Sequence, residues 1–292
     1  MPGHVPPPGA LFLDHTGHFV ADIDAARSEL DALGFTATPF SAQVQPDPAT
    51  GKPELTGTGN ICVMLPQGYL EILTHTADTP LGQEFNAALA KRAGLHLVAF
   101  GAADVEKRHA ALTAAGYPMR PLVHFSRDVD CDAGAIRASF SVARLQAGTF
   151  PEGRVQICTH HTPDALWQPR WTRHRNGAQK LVALVIASRN PGEAAERYSR
   201  LLGRRSEALG PGLRISLARG ALEFVTADVV ERLTGEQVMT EESVFVAVRL
   251  AVSDLSALIR LVGHRAIHAS RSSLVVPFGF ALGKGAFLFE AC

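Results

Sequence analysis

The chain has 292 residues, of which 46% are hydrophobic and 19% charged, a composition that predicts a folded core rather than a disordered segment. Lysine plus arginine equals aspartate plus glutamate, at 28 each, so no global positive field favours nucleic acid or an anionic membrane. No run reaches the ~20 apolar residues that cross a bilayer, and the first residues, MPGHVPPPGALF, do not resemble a signal peptide. We therefore expect a cytoplasmic protein with reduced cysteines, none of them in a CxxC pair; Cys62 and Cys158 lie in apolar strand-like runs and are expected to be buried.

One pattern occurs four times along the chain: an apolar strand-like run, then Asp or Asn, then an amphipathic helix that ends near a glycine. The copies begin at Leu13, Leu95, Leu181 and Val244. The acidic or amide residue stands where a helix N-cap belongs, at Asp22, Asp104, Asn190 and Asp254. The glycines at the helix ends are Gly34, Gly116, Gly203 and Gly263. Each copy then closes with a strand that a glycine leads, namely GYLEILT, GRVQICT, GALEFVT and GAFLFEA.

This pattern predicts an α+β protein built from four βαβββ modules that form two lobes of paired modules. The N-terminal lobe is expected over residues 1–160 and the C-terminal lobe over residues 180–292. Residues 161–179, which are polar and contain proline, are the expected linker between the lobes.

Polar residues at matched positions of the first two modules predict a metal site in the cleft between them. The first strands carry His15 and His96, and the last strands carry Glu71 and Gln156. Two imidazoles, a carboxylate and an amide oxygen suit a divalent metal such as Zn, Ni, Mn, Co or Fe. His96 precedes Asp104 by eight residues, whereas His15 precedes Asp22 by seven. The last two modules have apolar residues on their first strands, so the C-terminal lobe is expected to be metal-free.

The run LDHTGHFVADIDAA and the strand GYLEIL resemble the proteins of the vicinal oxygen chelate superfamily, and the whole chain resembles its glyoxalase-like members. The resemblance implies the glyoxalase, bleomycin-resistance and extradiol-dioxygenase type of fold, and a metal that polarises adjacent oxygens of a small substrate. By position, His15 and Glu71 match the family's ligands of the first module, and His96 matches the ligand of the second. Gln156 departs from the more common glutamate, so either Glu71 acts as both metal ligand and catalytic base, or the site has no such base.

Three classes of function remain open at this point. The first is a metal-dependent lyase, isomerase or transferase, and the second is a metal-free small-molecule binding or resistance protein. The third is an Fe(II) extradiol dioxygenase, because two histidines and one glutamate have the composition of its metal site. The expected partners are a small-molecule substrate, with no nucleic acid and no membrane, and a second copy of the chain in a candidate homodimer.

Three further residues are candidates for contact with the substrate. Tyr69 precedes Glu71 by two residues and therefore shares its face of the strand. His161 follows the last strand of module two, where it could line the mouth of the cleft. Trp167 belongs to the linker and either forms a wall of the substrate pocket or anchors the linker on the core.

Overall fold

The first two copies of the pattern combine into one eight-stranded sheet. The computed structural model describes residues 3–46, 50–131, 134–234 and 243–292. Module one consists of β1 (Leu11–Phe19), α1 (Ile23–Ala32), β2 (Ser41–Pro46), β3 (Pro53–Met64) and β4 (Tyr69–His75). After α2 (Pro80–Lys91), module two consists of β5 (Gly94–Ala102), α3 (Val105–Ala114), β6 (Val123–Cys131), β7 (Gly134–Arg144) and β8 (Arg154–His160). The strand order is β2-β3-β4-β1-β5-β8-β7-β6, so the first strands of both modules lie side by side at the centre.

The last two copies form a second sheet of eight strands after the short helix α4 (Pro163–Leu166). Module three consists of β9 (Ala178–Ala187), α5 (Pro191–Leu202), β10 (Glu207–Leu209), β11 (Gly212–Ser216) and β12 (Ala221–Val225). After α6 (Ala227–Thr234), module four consists of β13 (Val244–Val252), α7 (Leu255–Val262), β14 (His268–Ala269), β15 (Ser273–Pro277) and β16 (Ala286–Ala291). The order β10-β11-β12-β9-β13-β16-β15-β14 repeats that of the first sheet, and the predicted α+β fold of four βαβββ modules is confirmed.

The helices begin where the sequence predicts and end less uniformly. The side chains of all four predicted N-caps accept a hydrogen bond from a backbone N–H of the first turn. Three of the four predicted terminal glycines, Gly34, Gly116 and Gly203, have positive φ values of +80°, +84° and +65°, which is the left-handed backbone conformation that commonly follows a helix. The fourth, Gly263, also ends its helix as predicted, but it has φ −58° because the chain continues there into a 3₁₀ turn.

The two central strands of the first sheet pair antiparallel, with one bulge on each strand. Asp14 is the extra residue on β1, and His96 is the extra residue on β5. These two residues therefore occupy matched positions in the two modules. The residue after each bulge, His15 in β1 and Leu97 in β5, faces the concave side of the sheet. A bulge thus sets which side chains reach that side.

The two sheets pack against each other through one continuous apolar core that includes side chains from both, such as Leu13 and Leu181. Short backbone bridges also join them, for example between Phe12 and Arg219 and between Gln67 and Lys180. Within the part of the chain that the structure describes, no helix has the length and apolar character that crossing a membrane requires.

Candidate functional site

A cavity of about 410 Å³ lies on the concave face of the first sheet. Because side chains alternate along a strand, every second residue of β4 and β8 points into it. The contributing residues are Tyr69, Glu71 and Leu73 on β4, and Arg154, Gln156, Cys158 and His160 on β8. The cavity also has aromatic walls, which Phe40, Phe125, Phe140 and Trp171 supply.

Three of the four predicted metal ligands meet in this cavity. His15 Nε2 lies 3.7 Å from Glu71 Oε2 and 3.2 Å from Gln156 Nε2, and all three side chains are buried. The other carboxylate oxygen of the glutamate, Oε1, accepts hydrogen bonds from Asn60 Nδ2 at 2.6 Å and from Gln43 Nε2 at 3.0 Å. One oxygen of Glu71 is therefore fixed by the protein, while the other faces the imidazole.

A fully buried carboxylate, Asp14, holds the imidazole of His15 in place. Its Oδ2 accepts from His15 Nδ1 at 2.7 Å, from His160 Nε2 at 3.0 Å and from Cys158 Sγ at 3.4 Å. Burial alone would raise the pKa of Asp14, but the charges and hydrogen bonds of His160 and His15 outweigh it and hold that pKa below its usual range. Because Nδ1 is engaged with Asp14, the other ring nitrogen of His15, Nε2, faces the cavity.

Asp14, Cys158 and His160 have ligand-type atoms within 4.8 Å of one another and could themselves bind a metal. Burial and the neighbouring Asp14 raise the pKa of the Cys158 thiol well above its usual value. The Cys158 thiol and His160 Nε2 both donate hydrogen bonds to Asp14 Oδ2, the oxygen that also accepts from His15 Nδ1. We assign these three residues to the support of His15, a role that the sequence did not reveal.

His96 lies away from the other predicted ligands. Its Nε2 is 2.6 Å from the carbonyl oxygen of Arg92, and its ring stacks on Phe19 with 5.0 Å between the centroids. Burial lowers the pKa of His96 to about 4. As the bulge residue of β5 it corresponds to Asp14, and the position that corresponds to His15 is occupied by Leu97. The structure therefore places His96 outside the ligand set. His96 precedes Asp104 by eight residues because it corresponds to the bulge residue Asp14, which precedes Asp22 by eight.

Of the three residues that the sequence suggested for substrate contact, the structure places Tyr69 in the cavity. Its ring stacks on that of His15 at 4.2 Å. Trp167 lies behind the cavity wall, where its Nε1 donates to the carbonyl oxygen of Leu65 at 3.0 Å, and Trp171 lines the cavity instead. His161 is exposed and hydrogen-bonds Ser141 Oγ at 2.7 Å, outside the cavity.

The C-terminal lobe has an ion-pair cluster at the position that corresponds to the centre of the N-terminal cavity. Glu223, the counterpart of Glu71, is buried, and its two oxygens bind Arg249, with the closer contact at 2.8 Å. Arg214 adds a third contact at 3.1 Å. Two guanidinium groups therefore neutralise the carboxylate in this lobe, where the sequence predicted no metal.

Paired βαβββ modules around a cavity that contains a histidine and a glutamate define a protein of the vicinal oxygen chelate superfamily. The family model described as a glyoxalase-like domain matches residues 13–202, more than half of the chain, and the chain belongs to that family.

Solved structures show the same fold at low sequence identity. A hypothetical protein from Staphylococcus aureus aligns with TM-score 0.67 and 11% identity, over 97% of this chain and 100% of that one. A variant of 4-hydroxymandelate synthase from Streptomyces coelicolor aligns with TM-score 0.59 and 12% identity, over 97% and 92%. The Mn(II)-bound glyoxalase from Novosphingobium aromaticivorans aligns with TM-score 0.50 and 13% identity, over 97% and 82%. No curated protein sequence matches the chain significantly.

Proposed function

We propose that the N-terminal cavity is the active site of a metal-dependent, glyoxalase-like enzyme of the isomerase or lyase type. His15, Glu71 and Gln156 are the proposed protein ligands of a divalent metal. The observation that carries this proposal is the convergence of His15 Nε2 and Glu71 Oε2, 3.7 Å apart, with the imidazole oriented by Asp14. The Mn(II)-bound glyoxalase among the structures of similar fold agrees with a divalent metal.

The distances between the proposed ligands fit a shared metal ion. Nitrogen and oxygen ligands about 2.0–2.2 Å from one metal lie roughly 3.0–3.4 Å from each other. The 3.7 Å between His15 Nε2 and Glu71 Oε2 reaches that range with a shift of a few tenths of an ångström. The atom of Gln156 that lies 3.2 Å from His15 Nε2 is the amide nitrogen, so the amide must turn over to present its oxygen to a metal. Gln156 would supply its amide oxygen, a neutral and weaker donor than a carboxylate. The hydrogen bond from His15 to a buried carboxylate is the arrangement that commonly orients a metal-binding imidazole.

Each side chain has a separate task in the proposed reaction. A bound divalent metal supplies Lewis-acid polarisation of adjacent oxygens on the substrate. Glu71 is anchored through Oε1 by Asn60 and Gln43, so both proposed tasks fall to Oε2: it would bind the metal and, when displaced from it, take a proton from the substrate and return it. The partly buried ring of Tyr69 covers one face of His15 and limits the access of water to it.

A second function, a metal-free binding protein for a small molecule, is favoured by the cavity itself. Its volume of about 410 Å³ and its aromatic walls suit a ligand of drug size. An extradiol dioxygenase would need a second histidine next to the carboxylate. Among the described residues, Leu97 occupies that position, so the geometry gives this third candidate no support.

Titration with Mn²⁺, followed by electron paramagnetic resonance of the free ion, tests the proposal. We expect one binding site in the wild-type protein, and a loss of affinity of at least tenfold in His15→Ala and in Glu71→Gln. His96→Gln is the matched control and should bind Mn²⁺ like the wild type. Equal affinity in all four proteins, or no binding in the wild type, would contradict the metal-dependent function. Tight binding of an apolar ligand by EDTA-treated protein, unchanged in His15→Ala, would instead support the binding protein.

A further inference from the structure

Two arginines line the module-two side of the cavity, next to Gln156. Arg144 is the last residue of β7 and pairs with Gln156 across the sheet. Arg154 is the first residue of β8 and precedes Gln156 by two, so both side chains of this strand point into the cavity. Two cations therefore flank one of the proposed metal ligands.

Neither arginine has an anionic partner among the residues that the structure describes. The two nearby carboxylates interact with other groups: Glu71 with amide side chains, and Glu84 with Arg120 at 2.6 Å and 2.7 Å. The Nε atom of Arg144 is buried without any hydrogen-bond partner.

Aromatic faces, rather than carboxylates, hold the two guanidinium groups. Arg144 lies 5.4 Å from the ring centre of Phe125, and Arg154 lies 5.4 Å from that of Phe19. Such contacts position a cation without neutralising its charge. Burial lowers the pKa of Arg144 to about 10, with the neighbouring Arg154 as the next cause, yet the side chain remains charged at neutral pH. Both arginines are half-buried, and a charge that is partly removed from water without a partner is costly, so a cavity of this kind favours an anion.

Comparison of the modules shows what leaves Arg144 unpaired. Its counterpart in module one is Cys62, which pairs with Glu71, and its counterpart in module three is Arg214. Arg214 contacts Glu223 at 3.1 Å, whereas Arg144 stands beside the neutral amide of Gln156. The glutamine that weakens the metal site therefore also frees a cation.

We propose that Arg144 and Arg154 form an oxyanion-binding subsite and that the substrate carries a carboxylate or phosphate group. This inference rests on the proposed function for its location beside the metal ligands, and on the unpaired arginines for its chemistry. Guanidinium groups bind both kinds of oxyanion through paired N–H donors.

Isothermal titration of the full-length protein, with and without EDTA, tests the subsite. The probes are benzoate, phenyl phosphate and neutral benzamide, whose rings suit the aromatic walls. We expect one of the anions to bind at least tenfold more tightly than benzamide, and the tighter anion identifies the group. Arg144→Gln and Arg154→Gln should each weaken anion binding about 10-fold to 100-fold, since each removes hydrogen bonds to a charged group. Arg214→Gln is the matched control and should leave anion binding unchanged.

Gln156→Glu separates this inference from the proposed function. The new carboxylate should pair with Arg144 as Glu223 pairs with Arg214, weakening anion binding at least tenfold, while it strengthens Mn²⁺ binding. Arginine-dependent anion binding in a protein that does not bind Mn²⁺ would support the subsite and contradict the metal-dependent function. Equal affinity for benzoate, phenyl phosphate and benzamide would overturn the subsite. So would no anion binding at millimolar concentration, or anion binding that needs Mn²⁺ and is unaffected in both arginine variants.

Discussion

Replacement of Asp14 by asparagine should affect both the stability of the fold and the affinity of the metal site. The carboxylate is fully buried and accepts from two buried imidazoles, at 2.7 Å and 3.0 Å, and from a thiol. Hydrogen bonds to a charged group contribute about 1.5–3 kcal/mol each. Counting the two imidazole contacts, we expect Asp14→Asn to lower the free energy of unfolding by about 3–6 kcal/mol. Because His15 also loses the group that fixes its tautomer, Mn²⁺ affinity should fall about 10-fold to 100-fold.

Urea denaturation followed by tryptophan fluorescence measures the first effect, and Mn²⁺ titration measures the second. Asp104→Asn is the matched control because Asp104 is an exposed N-cap, and asparagine caps a helix equally well. The control should change stability by less than about 0.5 kcal/mol. If Asp14→Asn is as stable as this control and binds Mn²⁺ like the wild type, the supporting role of Asp14 is refuted.

Three more predictions address the rest of the fold. Burial lowers the pKa of His18 from its ordinary 6.5 to about 3, so the folded state resists protonation that the unfolded chain accepts. The contribution of His18 to stability should therefore be fully present above pH 6.5 and fall toward pH 3, by about 2 kcal/mol at pH 5. In urea titrations at pH 7 and 5, His18→Leu should lose about 2 kcal/mol less than the wild type, because His96, with its pKa of about 4, adds a loss of its own in both proteins. Glu223→Gln breaks the contact of a buried carboxylate with Arg249 and should lower the free energy of unfolding, measured by urea denaturation, by about 2–3 kcal/mol. The affinity for Mn²⁺ should stay constant. Gly153→Ala would place a Cβ 2.3 Å from a backbone oxygen and should lower the melting temperature strongly. Gly116→Ala, whose Cβ meets nothing within 4 Å, should lower the melting temperature far less, since it reduces the free energy of unfolding by only about 1 kcal/mol.

The sequence predicted the four modules because their signals are local. An Asp or Asn before an amphipathic run caps a helix whatever surrounds it, and a glycine-led apolar run forms a strand in each copy. The three side chains that meet in the cavity, His15, Glu71 and Gln156, were also predicted, because matched positions in paired modules face one another.

The positions of Asp14 and His96 could not be predicted in the same way. Strand alternation assigns each residue to one face, but a bulge adds a residue and changes the face of the residues beyond it. The count from His96 to Asp104 contained this information, although only strand pairing shows which residue is the extra one. The unpaired charge of Arg144 could not be predicted for a related reason, since it depends on which residue, here Gln156, lies opposite Arg144 on the next strand.

A crystal grown with Mn²⁺, with diffraction data collected on both sides of the manganese absorption edge, is the most direct test of the proposed metal centre. We expect one anomalous peak in the N-terminal cavity, within bonding distance of His15 Nε2 and Glu71 Oε2, and no peak beside Glu223. A peak held by Cys158 and His160, or one at His96, would contradict it.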